Sequence, residues 1–164
     1  MNLTFKNQKM LLSSVNARSE IHGDEREPAG DIALAAELPN DVLSIFHQDL
    51  KALLYCFDAG RDLDLADQGM AKEPGWMPHL RFRKLGLPIK WEEEIANARI
   101  TIRVPGTKKE ISLEPSKVNK FAFSPLDGGT VSFSMRVQTH PDEKQFGALS
   151  ILVQQEVEVS LEQV

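Results

Sequence analysis

The cleanest alternation of apolar and polar positions lies in the last third of the chain. Phe121 and Phe123 share one side of an extended segment, and Leu126-Asp127-Gly128-Gly129 follows as a tight connection. Val131, Phe133, Met135 and Val137 then alternate with Ser132, Ser134, Arg136 and Gln138. Two period-two runs joined by a glycine pair predict a β-hairpin. Pro141-Asp142 opens a short helix, with Glu143 where a negative charge suits the helix dipole. Phe146, Leu149 and Leu152 or Val153 supply its apolar side, and Val157, Val159 and Leu161 mark a closing strand. Residues 117–164 read as scaffold.

Upstream the pattern is less regular. Residues 2–19 alternate loosely (Leu3, Phe5, Met10, Leu12) and predict one or two strands turning near Lys6-Asn7-Gln8. The segment 20–30, EIHGDEREPAG, has turn formers and charges without an apolar period and reads as an exposed loop. Ile32, Leu34 and Ala36 give a strand, and Pro39-Asn40-Asp41 stops it and offers a helix cap. Val42, Leu43, Ile45, Phe46, Leu50, Leu53 and Leu54 fall near a helical stripe that breaks or bends near His47-Gln48-Asp49, where a second cap is available, and ends around 56–58. Residues 58–78 have no sustained period. Residues 79–84 suggest a short strand with Leu80 and Phe82 on one side, and Ile89-Lys90-Trp91 starts another. Residues 97–104 are a strand with Ala98, Ile100, Ile102 and Val104 inward; after a turn at 105–108, residues 109–113 return. The expected architecture is α+β: a mostly antiparallel sheet, one central helix at about 40–57 and one short C-terminal helix at about 142–153. A single domain over 1–164 is expected, with a long irregular excursion at about 58–78.

Composition narrows the function classes. The 164 residues carry a formal net charge of −5, which does not favour a duplex-DNA binder working by phosphate neutralisation. No apolar run is long enough to span a bilayer, and Met10-Leu11-Leu12 is too short for a signal-peptide core. One cysteine, Cys56, excludes an intramolecular disulfide and fits a reducing cytoplasm.

Candidate chemistry is sparse. Asp58, Asp62, Asp64 and Asp67 form the densest acidic cluster; a calcium loop starting at Asp62 has its terminal acid in Glu73 but lacks the central glycine. A solvated acidic loop is the simpler reading. His22, His47, His79 and His140 lie far apart and match no zinc spacing, so no metal site is expected. His140, with Asp142, Glu143 and Lys144 nearby, is the histidine best placed for proton transfer, although a capping or surface histidine is the simpler reading. Cys56 follows Leu53-Leu54-Tyr55 and reads as a small buried hydrophobe. No phosphate-loop, dinucleotide or nucleophile-elbow motif occurs, and no cofactor is expected. Trp76, His79, Arg81, Arg83, Lys84 and Trp91, with Phe82 and Lys90, interleave aromatic and basic side chains as single-strand nucleic-acid binders do. Glu92-Glu93-Glu94 dilutes that positive field at once.

Four segments, HGDEREPAGDI, LPNDVLSIFHQDLKALLY, KVNKFAF…GGTVSFSMRVQTHPDE and QQEVEVSLE, together resemble an uncharacterised family of small phage- and prophage-encoded accessory proteins. The resemblance runs from about His22 to Glu162. It implies a phage-encoded accessory protein, of a kind often found near genes for replication, recombination or counter-defence. The missing catalytic motifs, the acidic charge and the sheet-rich pattern add the expectation of a non-enzymatic protein of the host cytoplasm that binds a protein of host or phage, such as a host nuclease or defence complex. The resemblance carries over no catalytic residue. The alternatives are a single-strand nucleic-acid-binding module and a metal-dependent hydrolase. No membrane contact is expected, and the alternating C-terminal strand leaves room for a strand-paired homo-oligomer.

Overall fold

The structure is a computed structural model and describes residues 1–57, 76–86 and 88–164. The chain begins with two long strands, β1 (Phe5–His22) and β2 (Glu25–Pro39). A 3₁₀ turn (Asn40–Val42), α1 (Leu43–Phe46) and α2 (Leu50–Leu54) follow, then three short strands, β3 (Tyr55–Cys56), β4 (His79–Leu80) and β5 (Ile89–Trp91). The remainder is β6 (Ile95–Arg103), β7 (Glu110–Pro125), β8 (Thr130–Thr139), α3 (Glu143–Ile151) and β9 (Gln155–Gln163). These residues divide into two compact units. One comprises Met1, Glu37–Ile89 and Phe123–Ser132; the other comprises Asn2–Ala36, Lys90–Ala122 and Phe133–Val164.

The larger unit corrects the expected architecture. The α+β fold with a central helix is replaced by a closed six-stranded antiparallel β-barrel. Its strands run β7-β6-β9-β1-β2-β8, β8 pairs back to β7, and β5 is appended beside β7. Closure follows from strand length and bulges. β7 is one strand of 16 residues rather than two pieces, and its burial pattern slips by one residue twice. Ile111 and Leu113 face the core, then Ser116 and Val118, then Phe121. The first slip coincides with a register shift against β6 around Pro115; the second lies at Lys120, whose φ is 51°. An extra residue at each point bends the strand and keeps its apolar side inward. β1 does the same near its start: the turn expected at 6–8 is a bulge between Phe5 and Gln8, with Asn7 at φ 48°.

The barrel interior is filled. Met10, Leu12, Ile32, Leu34, Ile100, Ile102, Phe133, Val137, Val159 and Leu161 are all nearly or wholly buried. The rings of Phe5 and Phe121 lie 5.9 and 6.2 Å from that of Phe133. The expected inner face of β8 is the observed one, with Val131, Phe133, Met135, Val137 and Thr139 buried in strict alternation. Charge lies on the outside: Arg99 sits between Glu114 and Glu162, and Arg103 between Glu110 and Glu158. Apolar inward and charged outward is the reverse of the alternation in a membrane-spanning barrel. Among the described residues no helix is long and apolar enough to cross a membrane.

β9 pairs with β1 on one side and β6 on the other, so it is not the open edge that a strand-paired dimer was expected to use. The C-terminal helix is present as α3, capped as its sequence suggests: Asp142 accepts from Gln145 N at 2.7 Å while the Gln145 side chain accepts from Asp142 N. Leu149 and Leu152 are its buried side. The Phe146 ring lies over Gly30, where a Cβ would meet Cζ at 3.0 Å.

The smaller unit shows why the central helix fails. Of the stripe from Val42 to Leu54, Val42, Leu43, Phe46, Leu50 and Leu54 are buried, whereas Ile45 and Leu53, expected on the same side, are exposed. His47, however, is extended (φ −156°, ψ 139°), so α1 stops after four residues and α2 restarts at Leu50. Asn40 does not cap a helix either. Its backbone N–H donates to Gly129 O and its side chain to Met77 O, which ties it to the β7–β8 connection. The fully buried Tyr55 holds the same connection through its hydroxyl, 2.8 Å from both Leu126 O and Thr130 O. Gly128 and Gly129 make the turn as expected, at φ 99° and 89°. Phe46 packs edge-on to Phe123 at 4.7 Å.

Candidate functional site

The segment 20–30, expected to be a loop, is strand. β1 and β2 continue past the barrel as a two-stranded ribbon pairing Arg18 with Ala29, Glu20 with Glu27 and His22 with Glu25. It turns at Gly23-Asp24, where Gly23 has φ 64°, and Ile21 to Pro28 are all exposed. Directly paired residues of an antiparallel ribbon share a face. One face therefore carries Arg18, Glu20, His22, Glu25, Glu27 and Asp31; the other carries Ile21 and Arg26.

The charged face meets the end of β8. His140, the residue after Thr139, places Nε2 2.8 Å from Glu20 Oε2, although the two are 120 positions apart. His22 Nε2 lies 3.4 Å from the same oxygen and 3.5 Å from Glu27 Oε2. Arg18 pairs with the other Glu20 oxygen and with Asp31 at 3.0 Å. Hydrogen bonding from His140, then from Arg18, pulls the Glu20 carboxyl down to about 2. Glu20 and His140 also line a cleft of about 310 Å³ with Arg18, Ser116, Lys117 and Gln138. Asp142, expected as a partner for His140, is committed to capping α3.

This convergence was not legible as a metal spacing. Its local trace is Glu20-x-His22, two residues apart, which share a face only if the segment is strand. His140 comes from a different hairpin.

The basic–aromatic residues are divided between the two units, Trp76 to Lys84 in the smaller and Trp91 in the larger. Trp76 packs edge-on against Phe57 at 5.7 Å. His79 is largely buried; its Nδ1 is 3.9 Å from Asp127 Oδ1, and its Nε2 has no hydrogen-bond partner. Arg81 points its guanidinium at backbone, donating to Ala52 O (3.1 Å) and Tyr55 O (3.3 Å) at the end of α2. Arg83 approaches Asp127 at 3.7 Å, and Lys84 is exposed in a turn. The strand expected over 79–84 is only His79–Leu80, paired with Tyr55–Cys56, and Phe82 is exposed. Trp91 belongs to the barrel unit and donates to Glu93 at 3.0 Å. Cys56 is half-buried and free. Asp58, Asp62, Asp64 and Asp67 lie outside the described residues.

No family model, curated protein or solved structure matches the chain.

Proposed function

We propose that this is a non-enzymatic binding protein that engages a basic surface on a protein partner through its β1–β2 ribbon. The supporting observation is the ribbon itself. It projects Glu20, Glu25 and Glu27 from one face, with Asp24 at the tip and every residue from Ile21 to Pro28 exposed. An acidic ribbon on a chain of net charge −5 is suited to steering toward a cationic patch and fixing register there. A nucleic-acid enzyme's substrate groove is such a patch. Occupying it from the host cytoplasm would block a nuclease or defence complex, a role open to a phage accessory protein with an acidic surface. The nucleic-acid alternative is disfavoured because Arg81 is committed to backbone carbonyls and Arg83 faces Asp127.

The test is co-purification from host lysate with wild type and with the Asp24→Lys/Glu25→Lys/Glu27→Lys variant, all steps in EDTA. The expected result is a protein retained by wild type, lost with the variant and displaced by added nucleic acid. Equal retention by both, or recovery of nothing, refutes the reading.

A further inference from the structure

Two of the chain's four histidines converge on one carboxylate, and the histidine atoms that meet it are imidazole nitrogens rather than ring edges. The donor atoms of Glu20, His22 and His140 all lie within 4.8 Å of one another. The geometry points to a divalent transition-metal site with Glu20, His22 and His140 as its ligands, suited to Zn²⁺. Two imidazoles and a carboxylate are a donor set this class of ion prefers, whereas Ca²⁺ and Mg²⁺ take oxygen donors.

The spacing is close to what a bound ion requires. Tetrahedral bonds of about 2.0–2.2 Å separate neighbouring donors by roughly 3.4 Å. His22 Nε2 already stands 3.4 Å from Glu20 Oε2. His140 Nε2, at 2.8 Å, is at hydrogen-bond distance and has to open by about 0.6 Å, which its exposed place in the connection between β8 and α3 allows. Without metal, the Nε2–H of His140 donates to the carboxylate. With metal, the ring carries its hydrogen on Nδ1 and the Nε2 lone pair takes the ion. Zinc ligands are usually held by further hydrogen bonds, and here Arg18 does this, bridging Glu20 to Asp31. Glu27, 3.5 Å from His22 Nε2, is within a side-chain swing of the same ion.

Two elements are joined by this site. Glu20 and His22 belong to the ribbon, and His140 to the β8–α3 connection, so an ion would clamp the ribbon by its flank. Because Glu20 and His140 also face the cleft that Lys117 and Gln138 line, a three-ligand ion keeps a position open to water or a small anion.

The test is calorimetric titration of tag-free protein, stripped with EDTA and dialysed, with ZnCl₂ at neutral pH. The expected result is one equivalent bound per chain, weakened at least about tenfold by His140→Ala, by His22→Ala and by Glu20→Gln. Hydrogen exchange of the amides 20–27 should slow on adding Zn²⁺ to wild type and be unchanged in His140→Ala. Both histidines are exposed, so the variants should unfold at the wild-type urea midpoint in EDTA. No saturable binding by wild type, or undiminished binding by His140→Ala, overturns the site. The partner reading is measured in EDTA, so each can fail alone.

Discussion

The Tyr55 hydroxyl accepts from Leu126 N at 3.0 Å while standing 2.8 Å from the Leu126 carbonyl oxygen. A side chain at the end of α2 thus fixes the two ends of the β7–β8 connection, because Thr130 O is also within 2.8 Å. Tyr55→Phe should keep the ring's packing; Leu126 N still donates to Thr130 O at 2.8 Å, so Leu126 O is the backbone group that loses the hydroxyl. The expected loss is about 0.5–1.5 kcal/mol, read by urea denaturation.

The same residue predicts a pH dependence. Burial pushes the Tyr55 phenol up to about 12 from its usual 10. The neutral form is therefore favoured by folding, and its contribution to stability is full below pH 10 and lost as pH rises from 10 to 12. Tyr55 is the chain's single tyrosine, so phenolate absorbance reports it alone. Native protein should titrate near pH 12 and urea-unfolded protein near 10; coincident curves would contradict the buried hydroxyl.

Truncating the barrel's aromatic contact should be severe. Phe133 is fully buried between the rings of Phe5 and Phe121. Phe133→Ala should cost about 3–5 kcal/mol and Met135→Leu less than about 1.5 kcal/mol, compared by denaturant midpoints.

Gly30→Ala tests how α3 is seated. A methyl there meets the Phe146 ring at 3.0 Å and Pro141 Cγ at 3.3 Å. Stability should fall by about 1–3 kcal/mol, and pairing the change with Phe146→Leu should return part of the loss.

Arg81→Ala separates the structural role of that residue from nucleic-acid binding. Its side chain donates to two carbonyls while exposed, so about 0.5–1.5 kcal/mol of stability should go. Binding to oligo-dT at low salt should be undetectable both before and after the change. A wild-type shift that Arg81→Ala abolishes would restore the single-strand reading.

How much was legible depended on whether local pattern and global fold agreed. β8, β9 and residues 98–103 of β6 were readable because one face of each is buried in unbroken alternation, and the Gly128-Gly129 turn and α3 because turn and cap residues mark them. β7 was read in two pieces because bulges near Pro115 and at Lys120 shift the parity of its apolar residues. The ribbon read as a loop because both its faces are solvated, so no alternation marks it. The central helix was overcalled because the spacing of Leu43, Phe46, Leu50 and Leu54 does satisfy a helical stripe. What breaks it is the extended conformation of His47, at the start of the His47-Gln48-Asp49 stretch where the sequence already marks a break or bend. Of the site, only Glu20-x-His22 is local; His140 arrives through closure of the barrel.

The pairing of β1 with β9 bears on when this protein can fold. Asn7 donates to Ser160, a residue made 153 positions later, and β9 fills the gap between β1 and β6. β1 and β6 must therefore each wait with one unpaired edge until β9 is in place. Closure of the barrel depends on strands far apart in sequence, so it is slow for the barrel's size and leaves those edges exposed to aggregation until β9 inserts.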